Sequence, residues 1–324
     1  MTRIDDALAR AAAARFGISP DSELTFVRYG ENTTFRVRTA DGEMFALRLN
    51  RPGYQTLEAL RSELTWMAAL RAAGIRTAVA IPGVDGEEIQ HLADAGGQTH
   101  TAMMLTWVTG VPLSSLGAFA PWEQLGELMA SVHAHGATWR RPPAFTRPAW
   151  DAAALVGDSP RWGDPDPDGV FAPDDRAAID ACRSEVARRL SAIGTDGSRY
   201  GLIHGDLGFE NVLIDDGEPR VIDFDDCGES WFLHELAVAL YPHEGKSDFD
   251  AAGDALVRGY RRRGSLHDAT LAELPTFLMA RRLCTLGWTF SRSGTEHAAE
   301  QRERRIRTTP AALSRFLAWA QGNR

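Results

Sequence analysis

The stretch HGDLGFENVLI at residues 204–214, followed by VIDFDD at residues 221–226, decides the fold of this chain. Each part contains a short apolar run typical of a β-strand. The Asp-Gly step that ends at Gly217 favours a tight hairpin between them, because it tolerates positive φ. Asn211 lies six residues before Gly217 and Asp223 six residues after it, so the hairpin brings both side chains to the same end.

The polar side chains at this end of the hairpin are all oxygen ligands or bases. Asp206 enters from the loop before the first strand, so two carboxylates and an amide converge there. Mg²⁺ prefers carboxylate and carbonyl oxygens and keeps several of its waters. The pattern therefore favours a Mg²⁺ site among Asp206, Asn211 and Asp223.

The same spacing resembles the catalytic centre of protein-kinase-like phosphotransferases. Its His-Gly-Asp-Leu and Val-Ile-Asp-Phe-Asp-Asp form looks more like the aminoglycoside phosphotransferase family, which includes type II homoserine kinases and choline kinases, than like a eukaryotic protein kinase. The resemblance implies that Asp206 is the catalytic base and that Asn211 and Asp223 hold Mg²⁺ on the phosphates of ATP. Asp225 and Asp226 would either assist the metal or bind an amine of the substrate.

The resemblance implies an α+β, two-lobed protein-kinase-like fold. A small β-rich lobe at residues 1–108 would bind nucleotide, and a larger, mainly helical lobe at residues 109–324 would carry the catalytic and substrate-binding residues. Periodicity and turn residues agree with this division. They predict strands at 24–29, 34–39, 43–49, 77–81, 87–92, 99–108, 211–214 and 220–224, and helices at 1–17, 56–73, 121–135, 174–193, 231–240, 252–263, 271–292 and 310–322.

Two backbone segments of the small lobe are implied to contact ATP. The turn at residues 29–35 would lie over the phosphates and offer N–H groups from Asn32 and Thr33. This turn has one glycine where protein kinases usually have three, so it matches the family in position and not in glycine pattern. The strand end from Leu105 to Trp107 would bind the adenine edge.

Arg48 stands where the resemblance has a phosphate-binding lysine, in Phe-Ala-Leu-Arg instead of Val-Ala-Ile-Lys. Lys246 is the only lysine of the chain, so no lysine near Arg48 replaces it. Arginine can bind phosphate bidentately, although it differs from lysine in reach and hydration. The expected partner of Arg48 is Glu63 on the helix at 56–73, and Glu58 is the alternative.

Two further residues belong to the large lobe in this interpretation. Glu235 stands where the family usually has aspartate, and the resemblance implies that it holds the catalytic loop by hydrogen bonds. His133, near the end of the helix at 121–135, is interpreted as a structural histidine.

Composition excludes several classes of protein. The net charge of −9 over 324 residues argues against nucleic-acid binding. The three cysteines are widely spaced and indicate neither a disulfide framework nor a zinc site. No apolar run reaches the length of a membrane span. We therefore expect a cytoplasmic protein with no nucleic-acid or membrane partner.

The expected activity is ATP- and Mg²⁺-dependent transfer of the γ-phosphoryl group to a hydroxyl of a small molecule. The acceptor stays open between an aminoglycoside-like, cationic alcohol and an amino alcohol. Homoserine- or choline-type metabolic kinases, Ser/Thr protein kinases and a nucleotide-binding pseudokinase are the alternatives. The Asp-rich stretch at residues 158–175 either attracts a polycation or is an ordinary solvated loop. Arg281 and Arg282 either face a substrate cleft or lie on a basic outer face.

Overall fold

The computed structural model describes residues 6–30, 32–116 and 120–323, so the first residues of the helix predicted at 1–17 lie outside it. Internal contacts divide the chain into two compact units, each made of three segments. Unit 1 contains Met1–Val111, Arg141–Arg147 and Leu213–Asp225; unit 2 contains Pro112–Arg140, Pro148–Val212 and Asp226–Arg324. The lobe boundary placed after residue 108 stays a prediction.

Strands predominate in the first part of the described chain and helices in the later part. In chain order they are α1 (Asp6–Arg15), β1 (Glu23–Tyr29), β2 (Thr33–Arg38), β3 (Met44–Asn50), α2 (Leu57–Ala72), β4 (Arg76–Thr77), β5 (Ala80–Ile81), β6 (Ile89–Ala93), β7 (Thr99–Thr106), β8 (Val111–Pro112), α3 (Ala120–Thr138), α4 (Ala152–Val156), α5 (Pro173–Ile193), β9 (Tyr200–Ile203), β10 (Val212–Asp215), β11 (Glu218–Val221), β12 (Gly228–Trp231), α6 (Phe232–Leu240), α7 (Phe249–Arg263), α8 (Asp268–Leu271), α9 (Leu274–Ser291) and α10 (Glu296–Gly322).

Unit 1 is built on a six-stranded antiparallel sheet in the order β1-β2-β3-β7-β5, with β6 also paired to β7. Helix α1 packs its alanine face on this sheet, where Ala9 and Ala12 are fully buried. Helix α2 begins at an N-cap, since the Thr56 side chain accepts from the N–H of Ala59. The strands predicted at 24–29, 34–39 and 43–49 are confirmed to within one residue.

The hairpin of β10 and β11 turns where the Asp-Gly step predicts. Asp216 and Gly217 have φ of 51° and 76°, the left-handed region that such two-residue turns require. The strand bounds differ from the predicted 211–214 and 220–224. Asn211 ends a 3₁₀ turn, because its N–H donates to the carbonyl of Gly208, and the second strand already ends at Val221.

Unit 2 is mainly helical, as predicted, with a two-stranded sheet of β9 and β12 that the periodicity did not indicate. The helix predicted at 271–292 is interrupted, so α8 and α9 are separate. The helix predicted to begin at Pro310 is wrong in its start: α10 begins at Glu296 and continues through Pro310. None of the helices in the described ranges is both long and apolar enough to cross a membrane.

Candidate active site

The loop that carries Asp206 lies in unit 2 and is fixed by one carboxylate. Glu235 on α6 is fully buried and accepts backbone N–H groups of this loop. Its Oε2 lies 2.9 Å from the nitrogen of His204, and its Oε1 lies 2.6 Å from that of Gly205 and 3.4 Å from that of Leu207. The longer side chain thus makes the loop contact that the sequence suggested for an aspartate.

His133 completes the support behind Glu235. Its Nε2 lies 3.2 Å from Glu235 Oε2, its Nδ1 lies 3.0 Å from the Tyr260 hydroxyl, and its ring stacks on Phe232. Burial alone would raise the pKa of Glu235, but hydrogen bonding and the charge of His133 hold that pKa below its usual value. His133 therefore has a structural role, as expected, and keeps Glu235 ionised for the loop.

Gly205 shows why the loop needs glycine immediately before Asp206. Its φ is +85°, and a Cβ there would lie 2.4 Å from the carbonyl oxygen of Asp226. Only glycine avoids both the left-handed strain and the overlap with backbone.

The carboxylate of Asp206 is held at both oxygens. Asn211 Nδ2 donates to Oδ2 at 3.0 Å and to the Asp206 carbonyl at 2.8 Å, and Arg281 Nη2 donates to Oδ1 at 2.7 Å. The Asp206 side chain is still 37% exposed, whereas that of Arg281 is 11% exposed. A carboxylate in this state can accept a proton from an approaching hydroxyl, because each oxygen has a second lone pair.

Arg281 belongs to the site, and the helix periodicity could not decide this. Its guanidinium lies 5.0 Å from the centre of the Trp162 ring, which is buried. Arg282, the next residue on α9, instead pairs with Glu244 at 2.6 Å. Of the two arginines, Arg281 alone contacts the catalytic loop in the described structure.

Two groups near Arg281 are inactive at neutral pH. Burial, together with Arg281, lowers the pKa of His234 to about 3. Burial raises the pKa of the Cys284 thiol to about 12. Neither side chain is a base or nucleophile at pH 7, so Asp206 is the group of this cluster suited to proton transfer.

In unit 1, Arg48 and Glu63 form the expected ion pair. Arg48 Nη1 lies 2.7 Å from Glu63 Oε1, and Arg48 Nη2 lies 2.8 Å from Glu63 Oε2. Both side chains are buried. Arg48 Nε also donates to Asn50 at 3.1 Å. Burial alone would lower the pKa of Arg48, but the charge and hydrogen bond of Glu63 outweigh burial and raise that pKa. Glu58, the alternative partner, is exposed in the first turn of α2.

Arg147 is a residue of this cluster that the sequence did not indicate. Its side chain is fully buried, lies 3.9 Å from Glu63, and donates to the carbonyls of Ala59 and Asp225. Gln55 also donates to the Asp225 carbonyl, at 2.8 Å. These donors fix the backbone that follows Asp223, and nothing in the local pattern around Arg147 marks it.

Asp223 and Asp225 occupy different environments in unit 1. Asp223 has φ of +64° and a side chain 35% exposed, with Arg28 at 3.8 Å. Asp225 is buried, neither of its carboxylate oxygens has a hydrogen-bond partner among the described residues, and burial raises its pKa to about 7. Asp223 is thus the accessible carboxylate of the two.

The remaining predicted nucleotide contacts lie on the sheet of unit 1. Thr33 is buried at the start of β2, and the Asn32 side chain accepts the N–H of Arg51 at 3.2 Å. Leu105, in β7, pairs with Ala46 of β3 on one side and with Ala80 of β5 on the other. The N–H of Trp107 donates to the Met44 carbonyl at 3.2 Å, so a ligand there would use the carbonyl of Trp107.

Asn211 in unit 2 and Asp223 in unit 1, the residues predicted to hold Mg²⁺, each offer an oxygen donor of the kind that a hard divalent cation takes. Both donations of Asn211 Nδ2 go to Asp206, and the amide oxygen makes no hydrogen bond within the described residues. The same part of the chain contains no group of three or more His, Cys, Asp or Glu side chains that could hold a metal. One amide and one carboxylate suit Mg²⁺, which takes its other ligands from water and phosphate.

The Asp-rich stretch is a structured loop of unit 2 with its own arginine partners. Arg176 lies 3.2 Å from Asp164 and 3.7 Å from Asp166, and Arg302 lies 3.4 Å from Asp168. Asp166 also accepts the N–H of Val170 at 2.7 Å. These acids therefore serve the loop itself.

A model of the phosphotransferase enzyme family matches residues 26–274, more than two thirds of the chain. Amicoumacin kinase of Bacillus subtilis (strain 168) is 23% identical over 291 residues, which cover 85% of this chain and 82% of the relative.

Two solved structures extend the comparison to the fold. The structure of a microcompartment-associated aminopropanol kinase superposes with a TM-score of 0.87 at 29% identity and covers 98% of both chains. An amicoumacin kinase in complex with AMP-PNP, Ca²⁺ and Ami has a TM-score of 0.75 at 21% identity and covers 95% of this chain and 94% of its own. The predicted protein-kinase-like fold is confirmed.

Proposed function

Since the chain belongs to the phosphotransferase enzyme family, it is a phosphotransferase that acts on a hydroxyl of a small molecule, and we propose that its donor is Mg·ATP and its acceptor a small amino alcohol. The likeness to an aminopropanol kinase, at 29% identity over nearly the whole chain, supports this acceptor class. The AMP-PNP complex of a fold neighbour supports the donor.

The observation that carries the proposal is the state of the Asp206 carboxylate. It is held at both oxygens on a loop whose backbone is bound by a buried glutamate, and it stays partly exposed. Such a group suits a base that positions an alcohol, because its orientation is set before the substrate arrives.

Asp206 orients the acceptor hydroxyl and takes its proton as the oxygen attacks the γ-phosphorus of ATP. The bond between that phosphorus and the β,γ-bridging oxygen breaks, and ADP leaves. Asn211 and Asp223 would hold Mg²⁺, and the metal would supply positive charge to neutralise the phosphates. Arg48, held by Glu63, supplies a fixed positive charge for the phosphates of the nucleotide. Most of the rate enhancement in this scheme comes from positioning and from charge neutralisation.

The remaining contacts of the proposal are made by backbone. Asn32 and Thr33 cover the phosphates of ATP, and the chain from Leu105 to Trp107 borders the adenine. The first of the predicted lobes, residues 1–108, supplies these groups.

A second candidate acceptor is an amicoumacin-like or aminoglycoside-like alcohol, and the likeness to amicoumacin kinase favours it. Both acceptor classes share the same reaction and the same base. They differ in the number of positive charges that the site must accept, and that number can be varied in an acceptor panel.

The proposal is tested by ADP release from Mg·ATP across a panel of 1-amino-2-propanol, ethanolamine, choline, homoserine, kanamycin and a generic protein substrate. We expect turnover with an amino alcohol. The Asp206→Asn variant should still bind nucleotide but lose turnover by about 100-fold to 10,000-fold, the usual contribution of a general base.

Three other results of this assay would change the proposal. Equal turnover by Asp206→Asn would refute the role of Asp206 as base. Turnover with kanamycin alone would replace the amino alcohol by an antibiotic acceptor. Nucleotide binding without turnover on any acceptor would favour a pseudokinase.

A further inference from the structure

Arg281 places a fixed positive charge beside the catalytic carboxylate. Its Nη2 lies 2.7 Å from Asp206 Oδ1, and its guanidinium lies over the buried Trp162 ring at 5.0 Å. Its Nε is buried and has no hydrogen-bond partner in the described part of the chain. The guanidinium of Arg281 is thus already in contact with Asp206 and has few other positions to occupy. An ammonium group that approaches Asp206 must compete with this guanidinium for the carboxylate.

The Asp-rich loop of unit 2 is also paired with arginines of the same unit. Asp164 and Asp166 pair with Arg176, and Asp168 pairs with Arg302. A polycation that binds this loop would have to displace arginines that the fold supplies. The negative charge of Asp206 and that of this loop are thus both matched by arginine.

On the basis of the proposed function, we infer that Arg281 is a positioning and specificity-determining residue that selects acceptors with a single amine over polycationic ones. It holds Oδ1 of Asp206 toward one orientation, and its charge repels ammonium groups near the reacting hydroxyl. An amino alcohol can place its hydroxyl at Asp206 and its one ammonium elsewhere. An acceptor with several amines cannot keep all of them away from Arg281, so like charges oppose its binding.

The test compares two adjacent arginines on the same helix. Arg281→Met keeps an unbranched apolar side chain on Trp162 but removes the charge, and Arg281→Gln is a second neutral variant. Arg282→Met is the matched control, because Arg282 pairs with Glu244 at a similar distance of 2.6 Å. For each protein, kcat/KM is measured with 1-amino-2-propanol and with kanamycin. Cooperative unfolding is checked for every variant.

We expect the neutral Arg281 variants to lose kcat with 1-amino-2-propanol, with little change in the KM for ATP. Their kanamycin-to-aminopropanol ratio of kcat/KM should rise by about tenfold. Arg281→Lys should retain the wild-type ratio, since it keeps the charge, and Arg282→Met should leave the ratio unchanged. An unchanged ratio in both neutral Arg281 variants would overturn the inference.

A binding measurement separates this inference from the proposed function. Kanamycin binding, measured by calorimetry at low salt without nucleotide, should tighten about tenfold in Arg281→Met and stay at the wild-type affinity in Arg282→Met. Equal affinity in wild type and Arg281→Met would refute the charge selection. If the wild type turns over no acceptor, the proposed function fails, and the binding comparison still decides the role of Arg281.

Discussion

At the scale of single residues, Glu235 has the clearest energetic role. It is fully buried and accepts three backbone N–H groups of the catalytic loop and one contact from His133. An ionised acceptor makes stronger hydrogen bonds than a neutral one, and a buried N–H without a partner is unfavourable. The loop conformation therefore depends on this one charge.

Glu235→Gln should lower the free energy of unfolding by about 3 kcal/mol, because the amide replaces a charged acceptor and directs N–H groups at other N–H groups. Chemical denaturation at pH 7 measures the loss, and kcat should fall with it. The control is Glu218→Gln at the exposed first residue of β11. It should change neither the free energy of unfolding nor kcat. Equal losses in both variants would contradict the assigned role.

His234 should make stability depend on pH. Its pKa in the folded protein is about 3, against an ordinary value of 6.5, because it is buried and close to Arg281. Between these values the unfolded chain binds a proton that the folded chain does not, so the free energy of unfolding falls as pH decreases from about 6.5 toward 3. Above pH 7 this contribution is constant.

In His234→Asn, we expect the slope of unfolding free energy against pH between 6 and 4.5 to decrease by about 1.4 kcal/mol per pH unit. Denaturant titrations across this interval measure both slopes. Parallel curves for wild type and variant would show that His234 does not carry this dependence.

The ion pair of Asp206 and Arg281 marks the limit of sequence reasoning at this scale. The family resemblance around Asp206 implies a base there, and the hairpin pattern predicts that Asn211 lies nearby. Arg281 is 75 positions away, on a helix whose arginines look equivalent in sequence. Which of them reaches Asp206 is set by the rotation of α9, and tertiary packing decides that rotation.

At the scale of elements, the catalytic loop and the hairpin turn depend on two glycines with similar backbone and different surroundings. Gly205 and Gly217 have φ of +85° and +76°. A Cβ at Gly205 would overlap the Asp226 carbonyl, whereas nothing lies within 4 Å of one at Gly217. A side chain at Gly217 would therefore introduce backbone strain alone, whereas one at Gly205 would introduce strain together with steric overlap.

Gly217→Ala should lower stability by about 1 kcal/mol, the strain of a left-handed alanine, and leave turnover unchanged. Gly205→Ala should have a larger effect and also reduce kcat, since the backbone before Asp206 must move. Unfolding and ADP-release assays on both variants check this. A Gly205→Ala enzyme with wild-type kcat would show that the loop tolerates the displacement.

Helix α10 shows why element bounds could not all be predicted. Proline usually starts a helix or ends one, so the sequence predicts a helix start at Pro310. In the structure, residues on both sides of it are buried in unit 2, among them Ala298, Thr309 and Leu313. The Thr309 hydroxyl donates to the Arg305 carbonyl at 2.7 Å. Packing on both sides of Pro310 offsets the hydrogen bond that proline cannot make. The Asp-Gly turn, by contrast, is a local property and was predicted.

At the scale of the whole molecule, the proposed catalytic residues belong to two compact units. Asp206 and Asn211 lie in unit 2, and Asp223, Arg48 and Glu63 lie in unit 1. Each unit is assembled from three separate segments of the chain. A ligand that binds the folded chain and not the unfolded one should stabilise the chain against unfolding.

Mg²⁺ and AMP-PNP at 100 times their dissociation constant should raise the free energy of unfolding by about 2.7 kcal/mol. Thermal unfolding with and without EDTA measures the effect, and AMP-PNP with EDTA is the control. Asp223→Asn should lose most of the metal-dependent part. Equal stabilisation with and without metal would argue against the Mg²⁺ site.

The buried pair of Arg48 and Glu63 has a consequence for chemical proteomics. A nucleotide that carries an acylating group on its phosphates needs a nucleophilic amine beside those phosphates, which a lysine supplies when its amine is unprotonated. Arg48 stays protonated, since its pKa is raised, and a guanidinium is a poor nucleophile. The one lysine, Lys246, lies 3.2 Å from His243 in unit 2 and not on β3. This enzyme should therefore be missed by such profiling even in cells where it is abundant and active.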